Sequence, residues 1–249
     1  MVHWDNIISF EGGRSEDRQY AVRDEYRNVV GACRQVILKV LPRLMDHMFE
    51  NIDDMLYELA DSDSRQTAYF DAMRELRKQR EGIQDSFNGL FLGRFDRFWN
   101  MGPNQHHPDD LISEFDSDQF SLIEEEDLEE GLAVSNMIAK GESRFFRDLY
   151  ALDKRFGHII GDAEIDNSSN PAAPAVIASL FRGLVIDLDI TLAAKLIVFK
   201  QFERDVIEFL GNLYDELNAI LKGAGIVPKL AEHPSPSGVS RPQGGREGQ

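Results

Sequence analysis

LAAKLIVFKQFERDVIEFLGNLYDELNAI, residues 192–220, is the stretch that decides the fold. Leu192, Leu196, Phe199, Glu203, Val206, Leu210, Leu213, Leu217 and Ile220 recur at alternating spacings of four and three. Only a helix of about 3.6 residues per turn brings such positions onto one face. Glu203 alone interrupts the seam, and apolar Ile197, Val198, Phe202 and Phe209 flank it. A stripe that wide suits the central helix of a bundle better than a two-stranded coiled coil.

The same periodicity extends upstream. Asp187 or Asp189 reads as the cap of this helix, and Asn170-Pro171 as the N-cap and first residue of a short helix through Gly183. A third long helix begins in the acidic run Glu124 to Asp127, where negative charge offsets the helix dipole, and continues through Val134, Ile138, Gly141, Phe145, Leu149, Leu152, Phe156 and Ile159 to Gly161. MGPNQHHPDD (101–110) is a loop broken by two prolines. Before it, Phe70, Met73, Leu76, Ile83, Phe87 and Leu90 point inward from a second long helix, where Gly82, Gly89 and Gly93 suggest close crossings. The first helix carries Tyr26, Val30, Cys33, Ile37 and Val40, then Leu41, Met45, Met48, Ile52, Met55 and Leu59, with a kink or restart expected at Pro42. Asp61 to Ser64 reads as its stop and the next N-cap.

These readings predict an all-α fold. It is an antiparallel bundle with long helices near 26–60, 66–100, 124–160 and 189–221, and a short one near 171–183. Residues 1–20 read as a flexible arm, 21–230 as the bundle, and the Pro/Gly/Ser-rich 231–249 as a disordered linker or tail.

A net charge of −17 over 249 residues argues against binding to nucleic-acid backbones or an anionic membrane surface. A basic or zwitterionic protein partner suits it better. The single cysteine, Cys33, excludes an internal disulfide, and the N-terminus has no basic region followed by an apolar stretch, so a reducing cytoplasm is the expected setting. The most apolar segment, Leu184 to Phe199, is too short and too charged to span a bilayer.

Searches for chemistry return little. Neither phosphate-loop glycine pattern occurs, and HExxH, ExxH and GxSxG are missing. His106, His107, Asp109 and Asp110 could meet a divalent ion, but adjacent side chains around Pro108 rarely converge, and a solvated loop is the simpler reading. Cys33 lies on an apolar stripe and reads as a buried structural thiol. Asp187 and Asp189 are more simply caps than an acid–base pair. Arg14 and Arg18 match half of the arginine motif of cyclic-dinucleotide PilZ domains, without its companion element. Asn136, Glu142 and Glu203 lie on or beside apolar stripes, where an edge position or interhelical hydrogen bond explains them. No catalytic residue, cofactor-binding residue or metal ligand is assigned.

One stretch stands out as a candidate site. Phe87, Phe91, Phe95 and Phe98, with Trp99, form a dense aromatic stripe. Bundle core is the plain reading. The alternative is that Phe95, Phe98 and Trp99 overhang the bundle as a partner-docking patch, an aromatic anchor beside the acidic loop.

Four blocks carry a family likeness: CRQVILKVLPRLMDHMFENIDDMLYELAD, YFDAMRELRKQREGIQDSF, FSLIEEEDLEEGLAVSNMIAKGESRFFRDLYALDKRF and LYDELNAILKGAGIVPKL. In this order they resemble the N-terminal region of a proteobacterial family called domain of unknown function 1631, over about Asn28 to Leu230. The resemblance implies a bacterial protein and brings no catalytic residue with it. Some family members carry a "thymidine phosphorylase" label, which nothing in these residues supports. Members of the family are longer, so the ending resembles a linker or a shortened member. The function expected is a non-enzymatic helical interaction or regulatory module, binding a protein partner or further domains of a longer chain. The alternatives are a small-molecule or nucleotide sensor with a pocket between helices, and an enzyme with an active site outside known motifs.

Overall fold

The computed structural model describes residues 22, 24–62, 66–103 and 125–227. All regular structure among them is helical: α1 (Arg27–Ser62), α2 (Gln66–Met101), α3 (Glu125–Arg144), α4 (Phe146–Ile159), α5 (Pro174–Val185), α6 (Leu192–Asp205) and α7 (Leu210–Gly223), with short 3₁₀ turns at Asp24–Tyr26 and Ile207–Phe209. The expected arm 1–20, the tail 231–249, the 104–110 loop and Glu124 fall outside the described residues.

α1 and α2 are each 36 residues long and pack antiparallel. Arg34 holds Asp96, Asp46 holds Arg80, and Asp53 holds Arg77, so position rises along one helix as it falls along the other. α1 passes through Pro42 without interruption. Its buried row is Cys33, Ile37, Leu41, Met45, Met48, Ile52, Leu56 and Ala60, so Leu56 and Ala60 take the places expected for Met55 and Leu59. On α2 the buried row starts at Tyr69 and not Phe70, and includes Phe91 and not Leu90, leaving Phe70 and Leu90 exposed. An added methyl at Gly82, Gly89 or Gly93 would meet nothing, so these are not close crossings.

Close approach occurs instead where two rods lie side by side. The third long helix bends at Phe145, which divides α3 from α4 while Phe145 N–H still bonds Gly141 O at 3.0 Å. The last long helix is interrupted between Asp205 and Leu210 by the 3₁₀ turn. The two irregularities face one another. A Cβ on Gly141 would stand 2.8 Å from Ile207, one on Gly211 would stand 3.0 Å from the Phe145 ring, and that ring meets Tyr214 at 5.3 Å. Contacts Glu130–Lys195, Lys140–Glu203, Arg144–Glu208 and Arg155–Asn218 climb together along both rods. The α6–α7 rod therefore runs parallel to α3–α4, which requires a return crossing. Residues 160–191, with α5 inside them, supply it.

The crossing also corrects two cap assignments. Asn170 caps no helix: its Oδ1 accepts from Ala172 N–H at 2.8 Å in a buried turn, and α5 begins at Pro174. Neither Asp187 nor Asp189 caps α6. Thr191 does, its hydroxyl accepting from Ala194 N–H at 3.4 Å. Gly161 has φ +92°, the left-handed geometry that closes α4.

α6 is the central helix, touching α1, α2 and α3. Phe181 of α5 stacks on Phe202 of α6 at 3.8 Å, and Phe87 of α2 meets both edge-on. A second aromatic node joins Phe95, Phe98 and Trp99 to Phe156 of α4. No described helix is long and apolar enough to cross a membrane.

Candidate functional site

Phe95, Phe98 and Trp99 do not overhang the bundle. They are 0%, 5% and 3% exposed, with the Trp99 ring 5.0 Å from Phe156 and 4.8 Å from Phe98. α4 covers the end of α2 that was expected to project, so the stripe is core along its whole length. Cys33 is fully buried, and burial pushes its thiol up to about 12, which makes it unreactive at neutral pH. Asn136 is exposed; Glu142 is half-buried and its carboxyl is raised by burial. Glu203 accepts from Lys140 at 2.7 Å and Lys200 at 3.0 Å, an interhelical clasp. His106 to Asp110 lie outside the described residues, and no group of three or more metal-ligating side chains converges among the described ones.

An exposed aromatic pair lies at the opposite end of the α1–α2 hairpin, apart from the single exposed rings of Phe146 and Phe209. Helical spacing puts Asp46, Glu50, Asp53, Tyr57 on one edge of α1 and Phe70, Arg74, Arg77 on the facing edge of α2. Tyr57 and Phe70 meet edge-to-face at 6.4 Å and stay 61% and 41% exposed, so neither ring serves the core. Each lies beside the buried row and off it, next to Leu56 and Tyr69.

Between the edges is a cleft of about 340 Å³. Phe49, Ile52, Leu56, Met73 and Leu76 form its apolar floor, and Glu50, Asp53, Asp54, Arg77 and Arg80 its rim. Arg77 donates from Nε and Nη2 to Asp53 at 2.7 and 2.5 Å. Arg80 donates to Asp46 at 3.0 Å with its guanidinium 5.6 Å over the Phe49 ring, and Gln84 donates to the same carboxylate at 2.8 Å. Those donors, Gln84 first and then Arg80, hold the Asp46 carboxyl below the usual range. The arrangement has no nucleophile beside a base and no convergent metal donors. An apolar floor, a charged rim and two adjacent exposed rings suit non-covalent docking.

Sequence reasoning missed Tyr57 and Phe70. The available signal was an aromatic side chain one residue off each apolar row, and Phe70 was hidden because a shift of one position makes it look inward.

A buried polar cluster elsewhere fastens the crossing connection. Asn170 is 0% exposed and donates to Asp153 at 2.7 Å, and the Tyr214 hydroxyl donates to Ala172 O at 2.9 Å. Burial pushes the Asp153 carboxyl up to about 7, and the nearby Asp166 adds to the shift. Asp166 itself is held at about 2 by the Ser168 and Ser169 hydroxyls that donate to it. These bonds tie the connection to α4 and α7.

Residues 25–225 match the family described as "Protein of unknown function (DUF1631) N-terminal domain", and the chain belongs to that family. No curated protein and no solved structure matches it.

Proposed function

We propose that this member of the DUF1631 family is a non-enzymatic helical interaction module, which receives a protein partner, or further domains of a longer chain, on the outward face of the α1–α2 hairpin. The observation that carries the reading is the exposed Tyr57–Phe70 pair beside the apolar-floored cleft. Burying each ring on association removes a large apolar area from water, while the charged rim sets register more than affinity. The same reading disfavours nucleic acid as a partner, because a net charge of −17 repels a phosphate backbone. A reducing bacterial cytoplasm fits the single buried thiol.

The test is a photo-crosslinking amino acid placed at position 57 of the full chain in its own host. The reading expects a protein adduct that is absent when the probe sits at exposed Asn136 and is lost when Phe70→Ser is added. Equal labelling from both positions would sink it. The cleft also leaves open a small-molecule or nucleotide sensor, since its volume lies at the low end for ligand pockets. A thermal-shift screen with nucleotides separates the two, because a ligand of the folded state raises the melting temperature.

A further inference from the structure

We propose that the occupant of the α1–α2 face is a second copy of this chain, docked face to face about a two-fold axis lying along the hairpin. The inference rests on reading that face as a docking surface, and its own ground is the way charge is divided across it. From Leu44 to Ser62, α1 has no lysine or arginine, and its outward edge carries Asp46, Glu50, Asp53 and Asp54. The facing edge of α2 carries Arg74, Arg77 and Arg80, three cations against the single acid Glu81. Cross-hairpin contacts fix which residues share a level: Tyr57 with Phe70, Asp53 with Arg77, Asp46 with Arg80.

A two-fold axis along the hairpin exchanges its two edges and leaves each level unchanged. The acidic edge of one copy then lies over the basic edge of the other, with Asp53 level with Arg77 of the second copy. At one end, Tyr57 and Phe70 from both copies meet as a cluster of four rings. The other axis in the plane of the face, across the hairpin, would set α1 on α1 and acid on acid. Complementarity therefore selects one geometry, and the contact is isologous, as closed dimers require. Each cation already has an acid on its own chain, yet Arg74 and Arg77 remain 80% and 63% exposed, and Arg77 leaves Nη1 for a further acceptor. The net charge of −17 on each copy opposes approach at long range, but salt screens it beyond about 8 Å at physiological ionic strength. The facing rows are nearer than that.

Sedimentation equilibrium of the purified full chain tests this at physiological salt, from micromolar to near-millimolar concentration. The mass should rise from that of one 28.3 kDa chain towards twice that value. Tyr57→Ser/Phe70→Ser should stay monomeric with an unchanged helical spectrum. Arg77→Asp should weaken association by about tenfold or more, and Asp53→Arg/Arg77→Asp should restore it, because the exchange keeps opposite charges at one level. A wild-type chain that stays monomeric throughout, or self-association indifferent to the aromatic variant, overturns the proposal. If the wild type is monomeric and position 57 still crosslinks another protein, the docking face stands and only the second copy is refuted. If neither occurs, both readings fall.

Discussion

Asp153 sits at the fastening of the crossing connection, where Asn170 donates to it and burial raises its carboxyl from an ordinary 3.8 to about 7. The folded chain thus holds a proton that the unfolded chain releases between those values. Stability from this group is highest at acid pH, falls as pH rises from the unfolded value, and levels off above the folded one. Asp153→Asn keeps an oxygen for Asn170 and cannot ionise. Its unfolding free energy should exceed that of wild type at about pH 8, by an amount on the order of 2–4 kcal/mol, and the difference should vanish towards pH 4. A pH-independent difference would show that ionisation is not the cause. Gly157 is needed for space: a Cβ there would fall 2.2 Å from the Ala163 carbonyl oxygen. Chemical denaturation should find Gly157→Ala destabilised by about 1–3 kcal/mol. Gly82→Ala, in open space on a helix, should be neutral or stabilising by up to about 1 kcal/mol.

Helix stripes were legible because the spacing of Leu192 to Ile220, or of Met45, Met48 and Ile52, is a property of the chain alone. Interruptions were not. Phe145 and Val206 resemble their helical neighbours in type, and the bend appears only because Gly141 lets Ile207 approach and Gly211 admits the Phe145 ring. Caps failed for a related reason. Asp187, Asp189 and Thr191 are all good cap residues, and the path of the chain after α5 decides which one reaches a free N–H. Thr191→Ala should cost about 0.5–1 kcal/mol, the low end because its bond is 3.4 Å long. Removing Asp187 or Asp189 should cost less than about 0.5 kcal/mol. Urea titrations of the three variants decide the assignment, and an Asp189→Ala loss larger than that of Thr191→Ala would reverse it.

Under the proposed docking reading, stability and association fall to different aromatic groups at opposite ends of one hairpin. Sequence spacing marks the Phe95–Trp99 stripe and says nothing about what α4 covers, so the burial of these rings is not legible in it. Because the chain carries a net charge of −17, fluorescence anisotropy at physiological salt should detect no binding to duplex DNA or RNA. Micromolar affinity there would contradict the charge argument. The most direct test of the division is the unfolding free energy of two variants compared with wild type. Trp99→Ala should lose about 3–5 kcal/mol, as a buried ring does, while Tyr57→Ser/Phe70→Ser should stay within about 1 kcal/mol. A stable Trp99→Ala beside a collapsed Tyr57→Ser/Phe70→Ser would mean that the exposed pair belongs to the core and the docking face does not exist.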